Sequence, residues 1–266
     1  MTRHFHKMHG LGNDFVIVDA REAPFSVTPG LAKAIADRRT GVGCDQLIVL
    51  EASDSADLRM RIWNQDGGEV ERCGNATRCV VQLTGATTID SDGGLLEGKD
   101  LGAEVEVMLP EPKFGWEEIP LAYAMDTNAL PMAWGELGHP FAVNVGNPHV
   151  VFFVADAREV PLQELGPQIE NDPAFPERIN VNVATIGGDR LKLRTFERGV
   201  GETLACGTGA CATTVAAIAT KRAASPVTVD MAGGSLTIDW TPGQLIRMRG
   251  SATHVFEGEL HLEALA

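Results

Sequence analysis

The feature that most constrains this chain is that it is written twice. Gly12-Asn13-Asp14-Phe15-Val16-Ile17-Val18-Asp19 returns as Gly146-Asn147-Pro148-His149-Val150-Val151-Phe152-Phe153, each a glycine-asparagine turn running into a strand of β-branched and aromatic residues. Leu58-Arg59-Met60-Arg61-Ile62-Trp63 returns as Leu191-Lys192-Leu193-Arg194-Thr195-Phe196, alternating segments with their charges on one face. Cys73-Gly74-Asn75 returns as Cys206-Gly207-Thr208. Asn13 and Asn147 are 134 residues apart and the other two pairs are 133 apart, so three separate motifs share one spacing. The chain reads as a duplicated domain, α+β in class, with two pseudo-symmetric halves.

The boundary is expected in Leu109-Pro110-Glu111-Pro112-Lys113-Phe114-Gly115, where prolines and a glycine interrupt the strand Glu104–Met108. This gives a first half of residues 1–117 carrying Cys73 and a second of 118–266 carrying Cys206. The C-terminal strand near 254–266 can pack back on the first half. A helix is predicted to start at Thr28-Pro29, a capping threonine followed by proline at the first helical position, and to stop near Gly41. Two more follow Cys73 and Cys206. The last, through Ala212–Ala219, is nearly all small and apolar, so it belongs at the centre of its half. Val227–Val229, Leu236–Ile238 and Ile246–Met248 read as a closing antiparallel set.

The bulk composition limits the partners. A formal charge of −14 sets the surface against nucleic acid, whose phosphates it would repel. No apolar run is long enough to cross a bilayer, and the N-terminal MTRHFHKMHG has no apolar signal core, so no membrane partner and a cytoplasmic location are expected. The five cysteines, at 44, 73, 79, 206 and 211, form no C-x-x-C pair, which argues against structural zinc and a redox motif. Cys44, Cys79 and Cys211 read as small buried hydrophobes.

Cys73 and Cys206 differ because each precedes a helix. The free N–H groups and the dipole of a helix N-terminus stabilise negative charge, so both thiols are expected to have lowered pKa values. The same N–H groups can hold a carboxylate, with glycine allowing close approach. One such cysteine is an ordinary turn residue; two, related by a repeat, suggest opposed acid–base groups. Inverting a stereocentre needs that pairing, with a thiolate to remove a proton from one face and a thiol to return one to the other.

Four motifs then show a resemblance. Met8-His9-Gly10-Leu11-Gly12-Asn13-Asp14-Phe15, Arg38-Arg39-Thr40-Gly41-Val42-Gly43, Gly146-Asn147-Pro148-His149, and the run from Glu197 through Arg198, Gly199 and Cys206 to Gly209 stand in the order of the diaminopimelate epimerase family, which the chain resembles over nearly its whole length. The resemblance implies two similar α/β domains, each a mixed sheet wrapped round a central helix, with the active site between them. It implies a homodimer that interconverts LL- and meso-diaminopimelate with neither pyridoxal phosphate nor a metal. On it, Cys73 and Cys206 are the acid–base pair, and Gly74, Asn75, Gly207 and Thr208 bind the reacting carboxylate. Asn13, Asn64, Asn147 and Asn180 position the substrate, and Gln46 lines the same pocket. Glu197 and Arg198 read the distal end, and His149 and Glu197 tune the cysteine pKa values.

Taken singly, most of these residues have plainer readings. Asn13 and Asn147 suit turns, His149 suits a structural histidine, and Glu197 with Arg198 suits a surface pair. His4, His6 and His9 near the terminus read as exposed histidines rather than metal ligands. The sequence departs from the family at Ala76, where glycine is usual, a change that matters only if that position needs positive φ. Cys44, in the Gly-rich turn, is a second departure. A proline or hydroxyproline racemase of the same two-cysteine type is the nearest alternative, but it needs no counterpart of Glu197-Arg198. A thiol redox sensor on the same fold is another.

Overall fold

The computed structural model describes residues 2–71 and 73–265, and the chain divides into two compact units, Met1–Val107 with Gly250–Ala266 and Met108–Arg249. The division comes earlier than residue 117 because the proline-bearing segment is bonded into the second unit. Lys113 and Asn144 exchange backbone hydrogen bonds of 2.8 and 3.0 Å, and Thr127 Oγ1 donates to the Phe114 carbonyl at 2.8 Å.

The first unit runs β1 (Thr2–Gly10), β2 (Asn13–Asp19), α1 (Pro29–Ala36), β3 (Gln46–Glu51), β4 (Leu58–Asn64), β5 (Glu69–Val70), α2 (Gly74–Thr84), β6 (Thr88–Asp90) and β7 (Leu96–Asp100), with β8 (Val105–Leu109) at the division. Thr28 caps α1, its Oγ1 accepting from Leu31 N–H at 3.2 Å ahead of Pro29. The helix ends at Ala36, short of Gly41. Asp37 leaves the helical region with ψ 123° and its carboxylate takes the N–H groups of Arg39 and Thr40 instead. A parallel β2–β3 pair places Phe15 opposite Gln46, so the segment containing α1 must cross over between them. Antiparallel β3–β4 places Gln46 opposite Asn64, and β4 pairs parallel with β6.

The second unit opens with a short hairpin, β9 (Ala133–Trp134) and β10 (Leu137–Gly138), and then repeats that plan. Its elements are β11 (Phe141–Asn144), β12 (Pro148–Phe153), α3 (Leu162–Glu170), β13 (Asn180–Gly187), β14 (Arg190–Glu197), β15 (Gly201–Thr203), α4 (Gly207–Ala219), β16 (Val227–Met231), β17 (Gly234–Asp239) and β18 (Ile246–Gly250). Parallel β12–β13 sets His149 opposite Asn180, antiparallel β13–β14 sets Val181 opposite Phe196, and β14 pairs parallel with β16. The first two are the registers of the first unit shifted by the repeat spacing, while in the third Leu191 faces Val229 where Leu58 faces Ile89, so the partner strand is displaced further along the chain. The C-terminal β19 (Thr253–His261) returns to the first unit and pairs antiparallel with β1.

Strand alternation splits each core into two faces. In the first unit Val16, Val18, Leu47 and Val49 pack with Ala32, Ile35 and Ala36 of α1. Phe15, Ile17, Ile48 and Ile62, also fully buried, have the opposite parity. In the second unit α4 packs against β11, β12, β13, β14, β16 and β17, and all of Gly209–Ala217 is buried. A helix surrounded by strands has no polar face to offer, which explains its run of Ala, Val and Thr.

Candidate active site

Each unit carries its candidate residues to one end of its sheet. In the first, Asn13 begins β2, Gln46 begins β3, Asn64 ends β4, and Cys73 is the N-cap of α2. Because β2 and β3 are parallel and β4 runs back against them, these strand ends coincide. In the second, Asn147 precedes β12, Asn180 begins β13, Glu197 ends β14, and Cys206 is the N-cap of α4. Gly74 and Asn75 open α2, and Gly207 and Thr208 open α4, where the first N–H groups of a helix have no partner in the preceding turn.

The first unit's end holds unmet acceptors. Gln46 Nε2 donates to Asn64 Oδ1 at 2.9 Å, which turns Gln46 Oε1 away. That oxygen and Asn13 Oδ1 are buried with no hydrogen-bond partner among the described residues. A buried acceptor without a donor costs about 1–3 kcal/mol, so two at one strand end suit a ligand bearing N–H groups. Asn75 Oδ1 is taken by the fully buried Arg78, which donates from Nη2 at 2.8 Å. Ala76 lies within helical α2 and is absent from the positive-φ residues, so alanine is accommodated without strain.

These strand ends are fixed by a cluster of charges that the sequence reading missed. Arg38 bonds Asp14 at 2.7 Å and Asp45 at 2.8 Å, while Lys7 Nζ bonds Asp14 and the Gly43 carbonyl. Asp14 and Asp45 also exchange backbone N–H to carboxylate bonds of 3.1 Å. Although burial acts to raise the Asp14 carboxyl, its bonds to Arg38 and Lys7 hold it far below the usual range. The signal was present, since Asp14 and Arg38 both sit in the motifs quoted above.

The second unit's end is polar and closed. His149 is fully buried, and burial, assisted by the Arg198 charge, drives its pKa to about 3. Asn182 Nδ2 lies 3.0 Å from His149 Nδ1 and also donates to the Val150 carbonyl, so Nδ1 accepts. The proton is therefore assigned to Nε2, which donates to Asn147 Oδ1 at 2.8 Å. Thr195 completes the network through Asn182 Oδ1 at 3.0 Å. Asn180 joins the Pro148 carbonyl to the Arg198 N–H, at 2.8 and 3.0 Å. The exposed Arg198 donates to the Glu177 carbonyl and has no carboxylate partner among the described residues. Asn182 and Thr195 escaped the sequence reading because their strands looked wholly structural.

Cys206 departs from the sequence expectation. Its Sγ does accept from Gly209 N–H at 3.4 Å, with Thr208 Oγ1 3.5 Å away, and both contacts favour thiolate. Burial and the neighbouring Glu197 carboxylate outweigh them and push the thiol well above its ordinary value. Glu197 is itself raised by burial, against the bond from Thr203 Oγ1. Cys206 is thus favoured in its protonated form. Cys73 is half-buried and its sulfur makes no capping bond to α2. Of the remaining cysteines, burial takes Cys44 to about 11 and Cys79 to about 12, as befits hydrophobic packing residues.

The family model for diaminopimelate epimerase matches residues 5–113 and 141–255. A diaminopimelate epimerase of Rhizorhabdus wittichii is 62% identical over 268 residues, covering 99% of this chain and 97% of that one. Another, of Sphingopyxis alaskensis, is 60% identical over 261 residues, covering 97% of each. Among solved structures, a phenazine biosynthesis protein of the PhzF family from Bacillus anthracis matches with a TM-score of 0.70 at 18% identity, covering 98% of this chain and 99% of that one. A hydroxyproline epimerase from Agrobacterium vitis with bound trans-4-hydroxy-L-proline matches at 0.68 and 12% identity, covering 97% and 92%. At such identities these two establish the fold, α+β in two halves.

Proposed function

This chain belongs to the diaminopimelate epimerase family, and on that premise we propose that it interconverts LL- and meso-2,6-diaminopimelate by proton transfer at one α-carbon. The observation that carries the reading is the pair of repeat-related cysteines, each the N-cap of the helix that follows it.

One cysteine, as thiolate, takes the α-proton, and the electron pair left on carbon spreads into the α-carboxylate. The other, as thiol, gives its proton to the opposite face and becomes the thiolate. The reverse reaction swaps the two states, and the chemistry requires both sulfurs to reach one carbon. Free N–H groups at Gly74, Asn75, Gly207 and Thr208 stabilise the developing carboxylate charge. Buried Asn13 Oδ1 and Gln46 Oε1 accept from an ammonium group, while Asn64 orients Gln46. Arg198 pairs with a carboxylate at the distal end, Asn180 holds its backbone N–H, and Asn147, bonded to the His149 ring, positions the substrate beside it. Burial, with the Glu197 carboxylate beside it, keeps the proton on Cys206 until substrate arrives. His149 acts through position rather than charge, because its ring is neutral at any working pH. The reading includes a cytoplasmic homodimer that uses no metal or organic cofactor for this step. Among the described residues no helix is long and apolar enough to cross a membrane.

The test is isomerisation of LL- and meso-diaminopimelate in D2O under reducing conditions, with proline as the control. Deuterium should enter the α-position as the isomers interconvert. A Cys73→Ser or Cys206→Ser protein retaining near wild-type turnover would remove the mechanism, and turnover of proline alone would remove the substrate.

A further inference from the structure

We propose that the first unit carries a binding site for a divalent first-row transition ion such as Zn2+, formed across β1 and β19 by His4, His6 and Glu257 with His254 beside them. None of the four has a part in the proton transfer, and the site stands whether or not that reaction is correct.

The sheet register creates the group. His4 and His6 are two apart on β1, so their side chains leave the same face. His6 is directly opposite Glu257 in the antiparallel pair, and Met8, past an irregularity between Lys7 and Met8, is opposite His254. Glu257 Oε2 lies 3.6 Å from His4 Nε2 and 3.6 Å from His6 Nδ1. All three ligand atoms lie within 4.8 Å of one another. His254 Nε2 is 3.1 Å from His6 Nδ1. Around a tetrahedral ion with bonds of about 2.0–2.1 Å, neighbouring ligand atoms are roughly 3.3–3.4 Å apart. Small side-chain rotations therefore convert the group into a coordination shell without moving the backbone.

The donor chemistry selects the ion. Two or three imidazoles with one carboxylate suit Zn2+, Ni2+, Co2+ or Cu2+, whereas Mg2+ and Ca2+ prefer oxygen throughout. His9 stays outside, its Nδ1 3.5 Å from the Gly12 N–H. Bound there, the ion ties the first strand of the unit to its last. Such a cross-link favours the folded chain in proportion to its occupancy.

The full-length protein, stripped with a chelator and kept reduced with a phosphine, is titrated calorimetrically with Ni2+, Zn2+ and Mg2+. One Ni2+ or Zn2+ per chain is expected, with a dissociation constant on the order of micromolar, and no Mg2+. Saturating Zn2+ should raise Tm by about 5 °C. His4→Ala and His6→Ala should each weaken binding at least about tenfold, and Glu257→Gln should weaken it too. His9→Ala and His261→Ala, on the same strands but outside the group, should leave it unchanged. Unaltered circular dichroism of the metal-free variants separates loss of ligand from loss of fold. Absence of binding, equal losses in the control variants, or a thiolate-to-metal absorption band with Co2+ would each overturn the site.

Discussion

Set side by side at the repeat spacing, the two units share a backbone and differ in what they bury. His149, Asn182 and Thr195 form a hydrogen-bonded chain in the second unit, where the first has Phe15, Ile48 and Ile62. The charged Asp14 and Asp45 of the first correspond to Pro148 and Ile179 of the second. At the strand ends Gln46 and Asn64 correspond to Asn180 and Glu197, and only the first pair leaves a buried acceptor open. The cysteines follow suit: Cys206 is buried beside a carboxylate, and Cys73 is half-buried with no carboxylate at its repeat-equivalent position. Duplication thus preserved registers and helix starts, which set geometry. The side chains diverged, and they set charge and protonation. A reaction that needs one group to donate while the other accepts gains from that divergence.

The largest test of the asymmetry is at the thiols. On the proposed mechanism Cys73→Ala and Cys206→Ala each lower epimerisation by about 10²–10⁴-fold. Mass-mapped alkylation of the unsubstituted protein should label Cys73 well before Cys206. Glu197→Gln should speed labelling of Cys206 alone, because a carboxylate beside a thiol disfavours the thiolate. Equal rates at the two cysteines would erase the distinction.

Gly209 and Ala76 occupy equivalent helix positions and offer the next contrast. A Cβ on Gly209 would lie 2.6 Å from Asn182 Oδ1 and 2.8 Å from Thr195 Oγ1. Both atoms belong to the buried network, so Gly209→Ala should destabilise by about 2–3 kcal/mol and lower Tm by roughly 4–12 °C. Denaturation with an unchanged midpoint would mean that the network yields freely.

The charge cluster of the first unit should matter slightly less. Asp14→Asn leaves Lys7 buried without its carboxylate and should cost about 2 kcal/mol, since Arg38 and Asp45 are partly solvated. The sign with pH follows from the depressed carboxyl. Its stabilisation is complete above the unfolded value of about 3.9 and is lost as pH falls toward the folded value. Chemical denaturation between neutral pH and pH 3 should therefore fall less steeply for Asp14→Asn than for the parent.

Ala76→Gly is the smallest change. It removes a buried methyl and adds backbone freedom, without relieving any clash, and should cost about 1 kcal/mol. A stabilising effect would show that the usual family glycine is preferred here too.

The sequence alone determined the duplication, the two helix starts and the cysteine pair, because periodicity and motif spacing are local properties that survive without coordinates. It also carried the family resemblance, and with it the candidate residues Asn13, Asn147 and Glu197-Arg198. Only the tertiary structure decided the Cys206 proton, the neutral Nε2–H form of His149 and the open acceptors on Asn13 and Gln46. It also decided that His4 and His6 meet Glu257 from the other end of the chain. Each of these depends on burial and on partners distant in sequence. A helix N-terminus favours a thiolate wherever it occurs, but the surrounding solvent and the nearest carboxylate set the balance, and neither is written in neighbouring residues.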